Sequence, residues 1–215
     1  MRMRKKKNLA LRMETCGDLW IKTPSDLRGN WRTDRPETAL HLEIGCGKGK
    51  FTVETAAQTP DALLVAIERE PNAMVIAMER ALGLELQNLR FIDGDARHLE
   101  TLFAPGEVAR IYINFPDPWP GPRHAKRRLT SPDFLAVYKK ILTPGGEIHF
   151  KTDNRDLFNY SISQFPAHGF TLDKVTFDLH SQGMTGVMTN YEQKFHELGT
   201  PICRCVARWD GEESC

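Results

Sequence analysis

From residue 39 onward the chain alternates short apolar runs with longer stretches whose apolar residues recur every third or fourth position. Residues 39–44, 63–67, 89–92, 108–113 and 147–151 read as strands, with 170–179 and 202–209 as two more. Residues 51–58, 71–82, 131–142, 156–165 and 191–198 read as helices between them. Pro71 suits a first helical turn. Met74, Val75, Met78 and Leu82 then fall on one helix face, which makes both methionines core residues. Ser131 with Pro132 signals a helix start, and Thr143-Pro144-Gly145-Gly146 its end. Strand–helix alternation of this kind predicts a parallel, doubly wound α/β sheet, Rossmann-like, with helices on both faces. No repeat or low-complexity linker interrupts it, so residues 36–215 read as one domain. Residues 1–35 lack sustained periodicity and carry Gly17, Pro24 and Gly29. They read as a basic, partly flexible arm with Trp20 and Trp31 as anchors onto the body.

Composition narrows the class. With 215 residues, 40% hydrophobic and 27% charged, the chain has enough apolar content for a full globular core. The net charge of +1 means that attraction for a polyanion must come from clustering. Clusters exist: Arg2, Arg4, Lys5, Lys6, Lys7 and Arg12 all precede the first acid, Glu14. No apolar run is long enough to cross a bilayer, and no apolar segment follows the basic start as in a secretory signal. Five cysteines, an odd number without paired CxxC spacing, point to a reducing cytoplasm. Cys203-x-Cys205 lies in a strand-like run and reads as packing, so no metal site is expected.

Four acids fall at or just past successive strand ends: Glu43, Glu68, Asp95 and Asp117. Ligands of open α/β sheets bind beyond those ends, so the series marks a ligand site. The turn Glu43-Ile-Gly45-Cys-Gly47-Lys-Gly49-Lys lets the backbone approach a ligand closely. It misses the dinucleotide fingerprint, whose third glycine belongs where Lys50 stands. Charge separates the cofactors further. A dinucleotide brings an anionic pyrophosphate that Glu43 would repel, whereas S-adenosylmethionine brings an ammonium and a sulfonium that an acidic rim suits. Glu68, about 25 residues after Glu43, stands near the offset at which an acid takes ribose hydroxyls. These residues point to S-adenosylmethionine.

The stretch Asn114-Phe-Pro-Asp-Pro-Trp-Pro-Gly-Pro-Arg-His-Ala-Lys-Arg-Arg128 carries the remaining chemistry. Its four prolines predict a stiffened loop and not a helix. Asp117 lies beside the flat surface of Trp119, and Arg123, His124, Lys126, Arg127 and Arg128 follow as a phosphate-seeking cluster. Trp119 either stacks on a base or packs, and Tyr191 leaves the same choice open. An acid, an aromatic and a basic patch in series suggest chemistry on a nucleic-acid base.

With Lys151-Thr152-Asp153 and Thr189-Asn190-Tyr191-Glu192, these motifs together resemble the bacterial tRNA (guanine-N7-)-methyltransferases over residues 39–209, nearly all of the folded part. The resemblance implies a methyltransferase of the S-adenosylmethionine-dependent fold that forms 7-methylguanosine at position 46 of the tRNA variable loop. It implies cofactor binding by Glu43, Gly45, Gly47, Gly49, Glu68, Asp95, Ala96 and Asp117, with Asp117 also the active-site acid. It implies RNA contacts from Arg123, His124, Lys126, Arg127 and Arg128, and substrate binding by Asp153, Thr189, Asn190, Tyr191 and Glu192. One departure stands out: Gly121-Pro122 occupies the place where the family carries a lysine. An adenine amino-group methyltransferase, a non-catalytic RNA-binding protein and a nicotinamide oxidoreductase are the competing readings. The first uses an Asn-Pro-Pro-aromatic loop that Asp117 interrupts here.

Overall fold

The computed structural model describes residues 5–36, 38–181 and 183–211. Strands form where the apolar runs predict them: β1 (Ala39–Ile44), β2 (Ala62–Glu68), β3 (Leu89–Asp93), β4 (Val108–Asn114), β5 (Leu142–Thr152), β6 (Thr171–Thr176) and β7 (Cys203–Trp209). They make one sheet in the order β3-β2-β1-β4-β5-β7-β6. The first five are mutually parallel, and β1 and β2 are buried almost end to end because helices cover both faces. On one face lie α1 (Leu9–Thr15), α2 (Lys50–Gln58) and α3 (Pro71–Leu82), packed through Met13, Phe51, Met74 and Met78. On the other lie α4 (Leu99–Leu102), α5 (Pro132–Ile141) and α6 (Arg155–Ala167), packed through Leu99, Leu135, Tyr138 and Phe158.

The sheet is mixed, which corrects the all-parallel expectation. β7 runs antiparallel to both of its neighbours and sits between β5 and β6. The reason is the connection that precedes it. β6 ends at the carboxyl end of the sheet, and residues 177–202, which carry α7 (Asn190–Glu197), stay at that end. The chain therefore re-enters the sheet from there and can only run backwards. This reversal leaves α7 beside the strand ends where the glycine turn and Asn114 also lie. A smaller correction concerns α5: Leu142 is already extended, and Thr143–Gly146 belongs to an irregular start of β5 and not to a helix stop.

The segment before β1 includes a helix that the sequence pattern did not announce. Met13 of α1 is buried against α3, and Arg12 pairs with Glu79 at 2.6 Å. Ile21 N–H donates to Phe91 O at 2.9 Å, covering the outer edge of β3. Trp31 is buried, stacks on Phe103 and donates its Nε1–H to Leu102 O at 2.8 Å. Arg2 and Arg4 of the basic start lie outside the described residues.

Candidate functional site

A cleft of about 930 Å³ opens at the carboxyl ends of β1 to β4. Gly45, Glu68, Asp95, Ala96, Asp117, Lys126 and Arg127 of the sequence-predicted residues line it. Arg69, Glu70, Arg97, Asn114, Asp133 and Phe134 line it as well, and sequence reasoning had given none of them a site role. Arg69 and Glu70 directly follow a strand-end acid, and that adjacency was the available signal.

The glycine turn is held from within. Gly45 N–H donates to Ile67 O at 2.8 Å, Gly49 N–H to Cys46 O at 3.0 Å, and Gly47 N–H to Glu68 Oε2 at 2.9 Å. Glu68 Oε1 accepts from Glu70 N–H at 2.9 Å, so one carboxylate ties the turn to the end of β2. Gly45 has φ +82° with open space where a side chain would project, as a close-approaching ligand requires. Gly49 serves a different purpose: a Cβ there would lie 2.4 Å from that of Ala77, so its bareness lets α2 pack on α3.

Glu43 does not line the cleft but lies buried beneath it, where Thr52 Oγ1–H donates to its Oε2 at 2.6 Å. Burial pushes its pKa up to about 7, against the opposing pull of the Thr52 hydroxyl. Asn114, at the end of β4, faces this carboxyl. Its amide nitrogen and oxygen are buried without a partner in hydrogen-bond geometry. Asp95 caps the turn that follows β3 by accepting from Arg97 N–H at 2.9 Å, and its carboxylate also takes Arg97 Nε and Nη2. That guanidinium holds the Asp95 pKa below its ordinary value.

Asp117 is unlike the other three. Its side chain is 69% exposed, and its nearest cation is Arg69, with Nη2 3.9 Å from Oδ2. The loop around it places Phe115 at φ +52° and Trp119 at φ +42°, left-handed conformations that cost bulky residues energy. Arg128 braces this loop. Its Nε and Nη2 donate to Trp119 O at 3.3 and 3.1 Å, and its guanidinium lies over Tyr160 of α6, 4.3 Å from the ring centre. Arg127 covers the Trp119 ring at 3.5 Å, so the half-buried indole already has a cation on one face. Pro122–Arg127 forms a 3₁₀ helix, a correction to the loop expectation. Pro122 at its first position presets φ, and the extended prolines end before it. Arg123, Lys126 and Arg127 are exposed on this helix, while Arg123 Nε lies 3.1 Å from His124 Nε2.

The last group of predicted residues comes together around α7. Tyr191 is about half exposed; its ring centre lies 5.3 Å from that of Phe115 and 4.4 Å from that of Phe195. Burial and the Asp153 carboxylate push the Tyr191 phenol up. Lys50 Nζ donates to Gln193 Oε1 at 2.7 Å, which joins α7 to the start of α2. Thr189 and Glu192 form a capping box at the start of α7, Asn190 is exposed, and Glu192 is wholly buried. Gly121 has φ +88° and no side chain to offer the substrate. Among the described residues no cluster of three His, Cys, Asp or Glu could hold a metal, and no helix is long and apolar enough to cross a membrane.

A family model described as a putative methyltransferase matches residues 37–205. A tRNA (guanine-N(7)-)-methyltransferase of Listeria monocytogenes (serotype 4b) is 43% identical over 98% of this chain and 99% of its own. Its counterpart in Bacillus subtilis (strain 168) is 43% identical over 97% and 99%. That of Geobacillus thermodenitrificans is 47% identical over 87% and 88%. Among solved structures the 16S rRNA methyltransferase KamB superposes with a TM-score of 0.65 at 17% identity, covering 84% of this chain and 93% of its own. A variant 16S rRNA adenine-N(1) methyltransferase from Catenulisporales acidiphilia superposes with a TM-score of 0.59 at 13% identity, covering 87% and 93%. The structural likenesses establish the Rossmann-like methyltransferase fold, and the sequence likeness settles the rest: this chain belongs to the family of bacterial tRNA (guanine-N(7)-)-methyltransferases.

Proposed function

We propose that the protein methylates N7 of guanine 46 in the tRNA variable loop, with S-adenosylmethionine as donor. The observation that carries this reading is an exposed carboxylate, Asp117, that accepts no hydrogen bond from the described residues and stands on the wall of a cleft lined also by the glycine turn and by the cationic 3₁₀ helix.

The cleft fits the donor. The amides of Gly45, Gly47 and Gly49 are all engaged internally, so the turn offers no nest of those N–H groups to a pyrophosphate. Glu68 and Asp95 retain lone pairs beyond the hydrogen bonds they already accept and can take the donor's hydroxyl and amino groups. Gly45 and Ala96 supply the close backbone and apolar wall. When bound, S-adenosylmethionine supplies an electrophilic methyl group on a sulfonium.

Guanine N7 has a lone pair and no proton to lose, so the residues need supply no general base. Their work is to hold the purine in line with the methyl group. Asp117 can accept hydrogen bonds from N1–H and the exocyclic amine, and its negative charge stabilises the positive charge that methylation places on the ring. Arg123, Lys126 and Arg127 are exposed and keep N–H groups that can meet phosphates, which would seat the tRNA against the cleft. The reaction belongs where tRNA is, in the cytoplasm.

Incubation of an unmodified tRNA transcript with protein and methyl donor, followed by mass spectrometry of the nucleosides, tests the reading. 7-Methylguanosine is expected, and it should vanish from a transcript with adenine at position 46. Product formed equally well on that transcript would reject the assignment of the target base.

A further inference from the structure

Glu192 lies in the first turn of α7. Its side chain is fully buried. Oε2 accepts from Lys151 Nζ at 2.8 Å and from Thr189 N–H at 3.3 Å, and Oε1 accepts from His180 Nε2 at 2.9 Å. Thr185 N–H donates to His180 Nδ1 at 3.4 Å, which leaves the ring proton on Nε2, facing the carboxylate. Lys151 Nζ donates again to Val187 O at 3.1 Å. The carboxylate therefore joins the end of β5, the 180–189 segment and the first turn of α7. A buried ammonium such as Lys151 needs a counter-charge, and Glu192 provides it.

The residues flanking this node touch the working parts of the site. Tyr191 packs against Phe115, two residues before Asp117, and Gln193 receives the Lys50 hydrogen bond at the start of α2. Phe115 is the left-handed residue at which the Asp117 loop leaves β4.

We infer that Glu192 is a positioning residue: by bridging Lys151 and His180 it seats Tyr191 against Phe115, and so sets where Asp117 stands without itself touching guanine. The inference rests on the methyl-transfer reading above.

A double-mutant cycle of Lys151→Met and Glu192→Leu tests it, with transcripts carrying guanine or inosine at the target position. Inosine keeps N7 and lacks the exocyclic amine, so the ratio of kcat/KM for the two bases reports who reads that amine. Glu192→Leu should lower kcat/KM on guanine by about 100-fold, the scale of ångström-level misplacement, and pull the guanine-to-inosine ratio down with it, because a displaced Asp117 no longer meets the exocyclic amine. Adding Lys151→Met removes the stranded ammonium and should restore at least about tenfold of that loss. A guanine-to-inosine ratio that stays at the wild-type value in Glu192→Leu, or a double variant as impaired as the single, would overturn the inference. If the single variant does not fold, the double variant decides: its ratio should match wild type and its activity lie within about tenfold of it. Wild-type protein that methylates neither transcript would count against the function and not the node. The coupling between positions 151 and 192 is then read from melting temperatures across the cycle, and additive shifts would overturn it.

Discussion

Glu68 and Asp95, which line the cleft, and Glu43, buried beneath it, differ from Asp117 in what their oxygens already hold. Glu43 is buried against Thr52, Glu68 spans the glycine turn and the end of β2, and Asp95 is clasped by Arg97. Asp117 stands in solvent with only a distant guanidinium near it. The difference teaches a division of labour. Carboxylates fixed by the protein's own donors build a preorganised receptacle, whereas a carboxylate with unspent acceptors is available to a base that arrives and leaves.

The comparison is broken most sharply at Asp117. Asp117→Ala should cut turnover by roughly 100- to 1000-fold, the scale for losing one preorganised electrostatic partner, with an unchanged melting temperature because the side chain is exposed. A loss below about threefold in single-turnover assays would return Asp117 to an ordinary turn residue.

Glu43 should show the opposite profile, a stability effect that depends on pH. Its pKa is raised from 4.5 to about 7 in the folded chain, so between those values the folded state binds the extra proton. Stability then falls as pH rises through that window, by on the order of 3 kcal/mol at about 1.4 kcal/mol per pKa unit. Glu43→Gln should flatten this dependence in denaturant melts at pH 5 and pH 8. A slope that survives the substitution would place its origin elsewhere.

Glu68→Ala strands the N–H groups of Gly47 and Glu70 together. A stability loss of about 1–3 kcal/mol and weaker donor binding by equilibrium dialysis should appear in the same variant. Donor affinity lost without any change in stability would mean that the turn holds itself without this carboxylate.

The smallest effect separates neighbours in the basic run. Arg127→Ala should lower the slope of log tRNA affinity against log salt by about 0.9, one phosphate's share. Arg128→Ala should leave that slope alone and slow turnover, because its guanidinium is committed to Trp119 O and Tyr160. Equal slopes lost from both would make Arg128 a phosphate contact after all.

Much of this was legible from residue order alone. Strand ends can be read from where apolar runs stop, so the four acids were found at once, and helical spacing sent Met74 and Met78 to the core, where they lie. Strand direction was not legible, since alternation of β7 residues is the same whichever way the strand runs. Only the side of the sheet at which residues 177–202 remain decides it. The roles of Arg127 and Arg128 were equally hidden. They are adjacent and chemically identical, yet one lies over an indole while the other donates to a backbone carbonyl. Lys151 and Glu192, 41 positions apart, carry no local sign of their pairing. Arg69 escaped notice because a cation beside an acid at a strand end looks like ordinary surface.

Gly49 and Ala77 meet where α2 crosses α3, with no room for one more methyl group. Size admitted at Gly49 must be surrendered at Ala77, so the two positions are coupled in what they can accept. A designer who widens this scaffold for a different nucleophile inherits that seam as a fixed boundary.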